Sequence, residues 1–436
     1  MNDLIRSSVR RSGGIAAGAL SVLLAGSAAG QEVRRVTLDE ALRLSWLNSP
    51  VTVSAETVVQ NAEASRLEMY GSFLPSFNVS GIYANSSNQR FDQATGRLVS
   101  TSYTAQTQFG YDLFTAGRRW MSWRSANARL ESADASLRAA RFQTALATTS
   151  AFYEVAAGAE LLEVARQRLG RARQQLTFAT TRLEVGTATR SDELRAEIEV
   201  GNAELALIDA ESALRSARLT LGQQIGTGGE AEPADPTLPE AAPDLPSPDS
   251  LASRAERSSP ITGSANASWD ETKASKLSSY TSYIPSLRLT GGYDWFAPTY
   301  PPTTRSWNLR LTASLPVFNG FQREATISRA AATERLAASR ARDAILAARA
   351  DAIDAAQRIE SAGRRVAIAR RGVELAREDL RVQEERYQLS VATIVELQTS
   401  QLALAEAESA FVRAKQQLGV SLAQLEAILG ERLATR

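Results

Sequence analysis

The chain has 436 residues and contains neither cysteine nor histidine. Thiol chemistry, disulfides, the usual zinc ligand sets and imidazole acid–base catalysis are therefore excluded. No Gly-rich phosphate loop and no GxSxG elbow occurs. Serine–lysine or paired-carboxylate chemistry is all that remains open to an enzyme, and the reading is a non-enzyme without a cofactor. A charge of one sign is also missing. The 49 basic and 48 acidic residues leave a formal +1, and the two signs interleave along helical stretches as on solvated faces, so nothing points to nucleic acid. Beyond the N-terminus no run is long and apolar enough for a transmembrane helix.

The N-terminus carries "RSSVRR", then "GGIAAGALSVLLAGSAAG". A basic start, a short apolar run and small residues before the cleavage point describe a secretory signal over residues 1–29, and cuts after Ala29 and Gly30 both fit. A membrane anchor is the alternative, but the run is short and weakly apolar for one. With no cysteine, the exported chain is expected not to be lipidated.

The remainder is written twice. "FLPSFNVSG" from Phe73 matches "YIPSLRLTG" from Tyr283, 210 positions on. "LFTAGRR" from Leu113, "RLEVGTATRSDEL" from Arg182 and Ile225–Gly226 match "VFNGFQR", "RYQLSVATIVEL" and Leu429–Gly430, each 204 positions on. The six additional residues of the first copy fall between Gly81 and Leu113, as expected of a loop-tip insertion. The expected organisation is a first repeat over 30–226 and a second over 249–430. Between them lies a Pro/Gly/acidic linker, 227–248, unable to continue a helix or build a core. A tail, 431–436, follows.

Each repeat reads helix, strand hairpin, long helix, turn, helix. The hairpins span 76–114 and 286–318 and the turns 185–191 and 389–395. The first helix is expected from near Leu38 to Phe73, ending before Pro75. Within the hairpins apolar and polar residues alternate: Leu287, Leu289, Tyr293 and Trp295 oppose Arg288, Thr290 and Asp294, and Phe77 and Val79 oppose Asn78 and Ser80. Period two with one apolar face is a strand signal. Runs of about 10 residues cross a bilayer as tilted strands, and Tyr103, Phe114, Phe296, Tyr300 and Phe318 near their ends suit an interfacial girdle. A hairpin packed on a soluble core shows the same alternation.

Apolar residues recur every three or four positions in the helices, as at Val155, Gly158, Leu162, Ala165, Leu169, Ala172 and, after the turn, Val200, Ala203, Leu207, Ala210, Leu214. Large and small residues alternating on a heptad seam predict closely packed coiled coils. The helix from Arg118 to Val185 spans roughly 100 Å and its shorter neighbours roughly 55 Å each, so two short helices end to end match the long one. Four amphipathic strands cannot close a barrel that hides its edges in lipid, whereas three chains supply twelve. The fold class is thus mainly α with a small transmembrane β part, internally duplicated. Three chains would form a 12-stranded β-barrel above a coiled-coil α-helical tunnel.

Duplication, "LDEALRLSWLNSP" after Thr37, "LPS" and "IPS" before the strands, and the paired "RLEVGTATRSDEL" and "RYQLSVATIVEL" turns resemble the TolC-type outer-membrane efflux and secretion channels over nearly all of the mature chain. The resemblance implies a homotrimer in the outer membrane, embedded in lipid, with its tunnel in the periplasm. It implies a periplasmic adaptor and an inner-membrane transporter as partners, and passive exit of substrates in a tripartite efflux or type I secretion system. The rival assignment is a periplasmic coiled-coil adaptor or scaffold. By the same resemblance, Val185, Gly186, Thr187, Leu389, Ser390 and Val391 are the adaptor-docking tips. Asp192, Tyr387 and Glu396 are the candidate periplasmic gate. Ser390 replaces a glycine common at this turn. Ala392 and Thr399 stand where the family pattern has an arginine and a second acid. Locally, Thr189–Asp192 and Thr393–Glu396 also fit the capping box that starts a helix, and Tyr387 also falls on the packing seam.

Overall fold

The computed structural model describes residues 33–92 and 96–433. The expected signal segment lies outside them, as do the last three residues of the tail.

Each repeat begins with a pair of short helices, α1 (Leu38–Asn48) and α2 (Pro50–Gly71) in the first, α5 (Pro248–Ser258) and α6 (Pro260–Ser279) in the second. The single helix expected from Leu38 to Phe73 is therefore two. The break falls at Ser49–Pro50 and recurs at Ser259–Pro260. A residue before proline is pushed out of the α region, and both serines are extended, with ψ of 126° and 129°.

The long helices are α3 (Arg118–Glu184) and α7 (Gln322–Gln388), 67 residues each. Their partners after the turns are α4 (Arg190–Ile225) and α8 (Ile394–Leu429), 36 residues each. Helix α2 lies along the first part of α3 and α4 along the rest, the expected two-piece rod beside a long one. The seam is dry and fine-grained: Val155, Leu162, Ala165, Leu169, Ala172 and Ala203 are all buried. Small residues let the backbones approach; a Cβ added at Gly158 would stand 3.2 Å from Leu214. The repeats meet where α3 packs on α6 and α8.

Helices α4 and α8 end in left-handed glycines, Gly226 (φ 76°) and Gly430 (φ 70°). Both dock against the Ser-Pro break of their own repeat. Gly226 faces Asn48, whose amide donates to the Ile225 carbonyl at 2.8 Å; Gly430 faces Pro260.

The hairpins are β2 (Ser76–Asp92) with β3 (Arg97–Phe114), and β5 (Ser286–Ala297) with β6 (Thr304–Ser314). They join through β3 and β5 into one antiparallel sheet, ordered β2-β3-β5-β6. The first hairpin is longer than the run of about 10 residues anticipated, at 17 and 18 residues per strand. Its extra residues prolong both strands beyond an irregularity between Asn85 and Arg90 instead of widening a loop tip.

Registers align whole layers. Phe77, Phe109, Gly291 and Leu309 form one rung of the apolar face, and Val79, Thr107, Tyr293 and Trp307 the next. The opposite face carries Asn78, Gln108, Gly292 and Asn308, then Ser80, Gln106, Asp294 and Ser306. Aromatic contacts gather at two levels: Tyr83–Tyr103 (5.0 Å) midway along the first hairpin, level with the end of β5, and Phe318–Phe321 (5.5 Å) beyond the end of β6.

The linker 227–248 does contribute to a core, contrary to expectation. Its Ala231–Pro233 (β4) pairs in parallel with Arg34–Val36 (β1). Ala231 and Leu238 are buried, and Ala242 and Leu245 pack against the cluster shared by α5, α7 and α8. An extended, proline-rich strap needs no helical period to bury a few spaced apolar residues. Lys415 of α8, itself buried, pairs with Glu160 of α3 at 2.7 Å and lies 4.0 Å from Glu240 of the strap. Among the described residues no helix is long and apolar enough to cross a membrane.

Candidate functional site at the helical tips

Farthest from the sheet, α3 turns into α4 and α7 into α8. Helices α4 and α8 start two residues or fewer before the anticipated ends of the turns, because Thr189 and Thr393 act as N-caps. Each threonine hydroxyl accepts from the amide three residues on, and that residue's carboxylate returns the bond. Asp192 Oδ2 accepts from the Thr189 amide at 3.0 Å, and Glu396 Oε2 from the Thr393 amide at 2.7 Å. Both capping boxes are complete, satisfying backbone donors that a helix start otherwise leaves free. The Thr393 amide, then its hydroxyl, hold the Glu396 carboxyl below the usual range, with a smaller contribution from the Arg386 guanidinium.

The turns pass through left-handed backbone at Gly186 (φ 76°) and Ser390 (φ 61°). Ser390 thus adopts the geometry of the glycine it replaces, at a cost of about 1–2 kcal/mol for a residue with a Cβ. A partner holds it there: the Arg182 guanidinium donates to Ser390 Oγ. The same guanidinium donates to the Tyr387 carbonyl at 3.0 Å and lies 5.2 Å from the Tyr387 ring centroid and 5.7 Å from that of Phe178. The two rings are themselves 5.8 Å apart.

Tyr387 is buried with Ala179, Ala196, Leu380 and Ile394. Burial pushes its phenol up; the Arg182 charge opposes this and the Asp192 charge adds to it. Asp192 and Tyr387, from different repeats, are thus brought within electrostatic range. Glu396 sits apart from them at its own cap and is exposed. Ala392 packs at the edge of the Tyr387 cluster, and the Thr399 hydroxyl donates back to the Val395 carbonyl at 2.7 Å. Val185, Gly186, Thr187, Leu389, Ser390 and Val391 are all exposed, with Val185, Leu389 and Val391 at 68%, 75% and 66%. That is an apolar fringe on an otherwise polar end.

The turn motif by itself does not single out Arg182 as a site residue. The signal was present, since "RLEVG" and "RYQLS" both open on arginine. Nothing linear, however, shows that Arg182 crosses to the other repeat while Arg386 stays on its own helix with Gln383 at 3.2 Å.

A family profile described as "Outer membrane efflux protein" matches residues 42–227 and 251–431. The chain belongs to the outer membrane efflux protein family. Its two matched segments correspond to the two repeats, and the family matched is an outer membrane efflux family, not one of adaptors or scaffolds. Curated protein sequences give no match. Solved structures do. A membrane protein from Pseudomonas aeruginosa is 20% identical, covers 92% of this chain and 91% of its own, and superposes with a TM-score of 0.77. The outer membrane protein VceC of Vibrio cholerae is 16% identical over 91% and 96%, with a TM-score of 0.73. The MtrE outer membrane channel of Neisseria gonorrhoeae, in its open state, is 19% identical over 90% and 89%, with a TM-score of 0.75. This efflux family member therefore has the TolC-type fold expected from its sequence.

Proposed function

We propose that three copies of this efflux protein form a channel-tunnel. Their four-stranded sheets close edge to edge into a 12-stranded barrel in the outer membrane, and their helices form a tube in the periplasm. An inner-membrane transporter and a periplasmic adaptor deliver substrates, which leave passively. The adaptor docks on the exposed tips Val185–Thr187 and Leu389–Val391. Asp192, Tyr387 and Glu396, with Arg182, govern closure of the tip.

The observation that carries this reading is the sheet. Phe77, Val79, Trp307, Leu309 and Leu311 are 60% exposed or more on one face, the other face is polar, and β2 and β6 are both edges within the chain. Open edges are untenable in lipid and an aggregation hazard in water; closure with further copies removes them.

The test is biochemical. Detergent-extracted protein from outer-membrane fractions is expected to run as a heat-modifiable trimer and to conduct in planar bilayers. A monomer released into the soluble periplasmic fraction would overturn the proposal.

A further inference from the structure

On the polar face of the sheet, where the strands meet the helices, basic residues outnumber acids. Asp112 of β3 is flanked by two guanidinium groups, Arg288 of β5 at 3.6 Å and Arg119 of α3 at 3.7 Å. Arg119 also lies 5.2 Å from the Tyr111 ring. Arg118 and Arg288 line the same open cavity of about 350 Å³ as Asp112, with hydroxyls from Ser72, Ser76 and Thr115. On the next rung Arg310 shares a layer with Ser76, Gly110 and Thr290. Arg118 and Arg310 make no ion pair among the described residues. Arg118, Arg119 and Arg288 thus gather at one carboxylate, with a fourth guanidinium, Arg310, on the next rung of the same face. The next acid on this face, Asp294, is two rungs beyond Arg310, roughly 13 Å at the strand rise.

The excess is not a by-product of the repeated scaffold. In the second copy Pro316 stands for Asp112 and Gln322 for Arg118. Arg323, the counterpart of Arg119, donates to Glu324 at 3.1 Å and to the Pro316 carbonyl at 3.0 Å and lies 4.0 Å from the Tyr283 ring. That site is neutralised. Among the described residues the second repeat therefore does not reproduce the cationic cavity.

We infer that this cavity is an anion-binding station at the periplasmic mouth of the barrel, one per protomer, recognising permeant anions that carry carboxylate, phosphate or sulfate groups. The inference rests on the barrel reading above, in which the polar face lines the lumen. Guanidinium groups match such oxyanions in a bidentate manner. A narrow passage lined by one sign of charge concentrates the opposite ion. Because the cluster is only partly paired and open to solvent, singly charged anions pass through it, whereas a multiply charged oxyanion that engages several guanidinium groups is retained long enough to reduce the current.

The experiment compares purified full-length protein in planar bilayers under a KCl gradient, with inorganic pyrophosphate as the probe anion. Arg118→Gln combined with Arg310→Gln alters two exposed groups without ion pairs, so folding is spared. It is expected to lower the chloride-to-potassium permeability ratio several-fold and to relieve pyrophosphate block of the current by a similar factor. Asp112→Asn, which frees two guanidinium groups, is expected to move both readouts the opposite way. Conducting channels whose ion preference and pyrophosphate sensitivity are the same in all variants would overturn the anion station and leave the channel reading standing. Failure of the unmodified protein to conduct would remove both.

Discussion

The Arg182 guanidinium, on the long helix of the first repeat, donates at 3.0 Å to the carbonyl of Tyr387, at the end of the long helix of the second, and lies 5.2 Å from its ring. The Tyr387 carbonyl already accepts from the Ser390 amide at 3.0 Å, but a helix C-terminus still favours a cation, and an aromatic face does so too. One side chain therefore meets both the helix terminus and the ring of the opposite repeat and ties the two tips together.

Arg182→Ala should cut that tie, worth on the order of 2 kcal/mol for a charged hydrogen bond with a ring contact. Hydrogen exchange at Ser390–Ala392 is expected to accelerate by about tenfold or more, and the isolated channel to conduct more. Arg182→Lys should recover only part of the effect, since an ammonium cannot bridge carbonyl, hydroxyl and ring in one plane. Unchanged exchange in the alanine variant would show that the contact contributes nothing.

The acids at the tip need variants that separate charge from capping. Asp192→Asn with Glu396→Gln keeps an acceptor for each N-cap amide and removes both charges; higher conductance and weaker cation preference are expected if these acids line the closed pore. Thr393→Ala does the reverse, and should loosen the start of α8 by about 1 kcal/mol with little change in ion preference. The depressed Glu396 carboxyl stabilises the cap at pH values above the ordinary carboxylate range. That contribution should fade as pH falls through the lowered value, visible as faster exchange in the first turn of α8 under acid conditions.

Glu426 runs the other way. Burial raises its carboxyl, opposed by the Leu433 amide and Arg432; the Leu433 amide bond is 2.9 Å long. A raised acid contributes stability when protonated and loses it as pH climbs through the folded value. Glu426→Gln keeps an acceptor for Leu433 and has no charge to bury. It should raise thermal stability at neutral pH and flatten the pH dependence just above the ordinary carboxylate range. A lower melting temperature at neutral pH would contradict this.

Gly226→Ala and Gly430→Ala should each destabilise the protein. The left-handed backbone alone costs about 1–2 kcal/mol with a Cβ present. The new methyl would also stand 2.5 Å from Asn48 or 2.7 Å from Pro260. Thermal unfolding of the detergent-solubilised protein, followed by circular dichroism, measures the loss. Gly186→Ala, with nothing within 4 Å, should show the backbone cost alone.

The sequence by itself determined the plan. Duplication at a fixed offset, heptad spacing and strand alternation are local or periodic signals, so the long helices, the hairpins and the Thr-capped turns were all legible. The Ser-Pro breaks were not part of the expected plan: the helical period runs smoothly across "NSPV" and "SSPI", and the single helix expected from Leu38 to Phe73 is two. Only the tertiary structure decided which partners meet. It folded the proline-rich strap onto the core through Leu238, because burial of spaced apolar residues needs no period. It sent Arg182 across to Tyr387 and left Arg386 beside Gln383, although both arginines occupy one position of the repeat. It also gathered Arg118, Arg119 and Arg288 around Asp112 from both repeats. Such encounters depend on the register between distant elements, and no linear pattern records that.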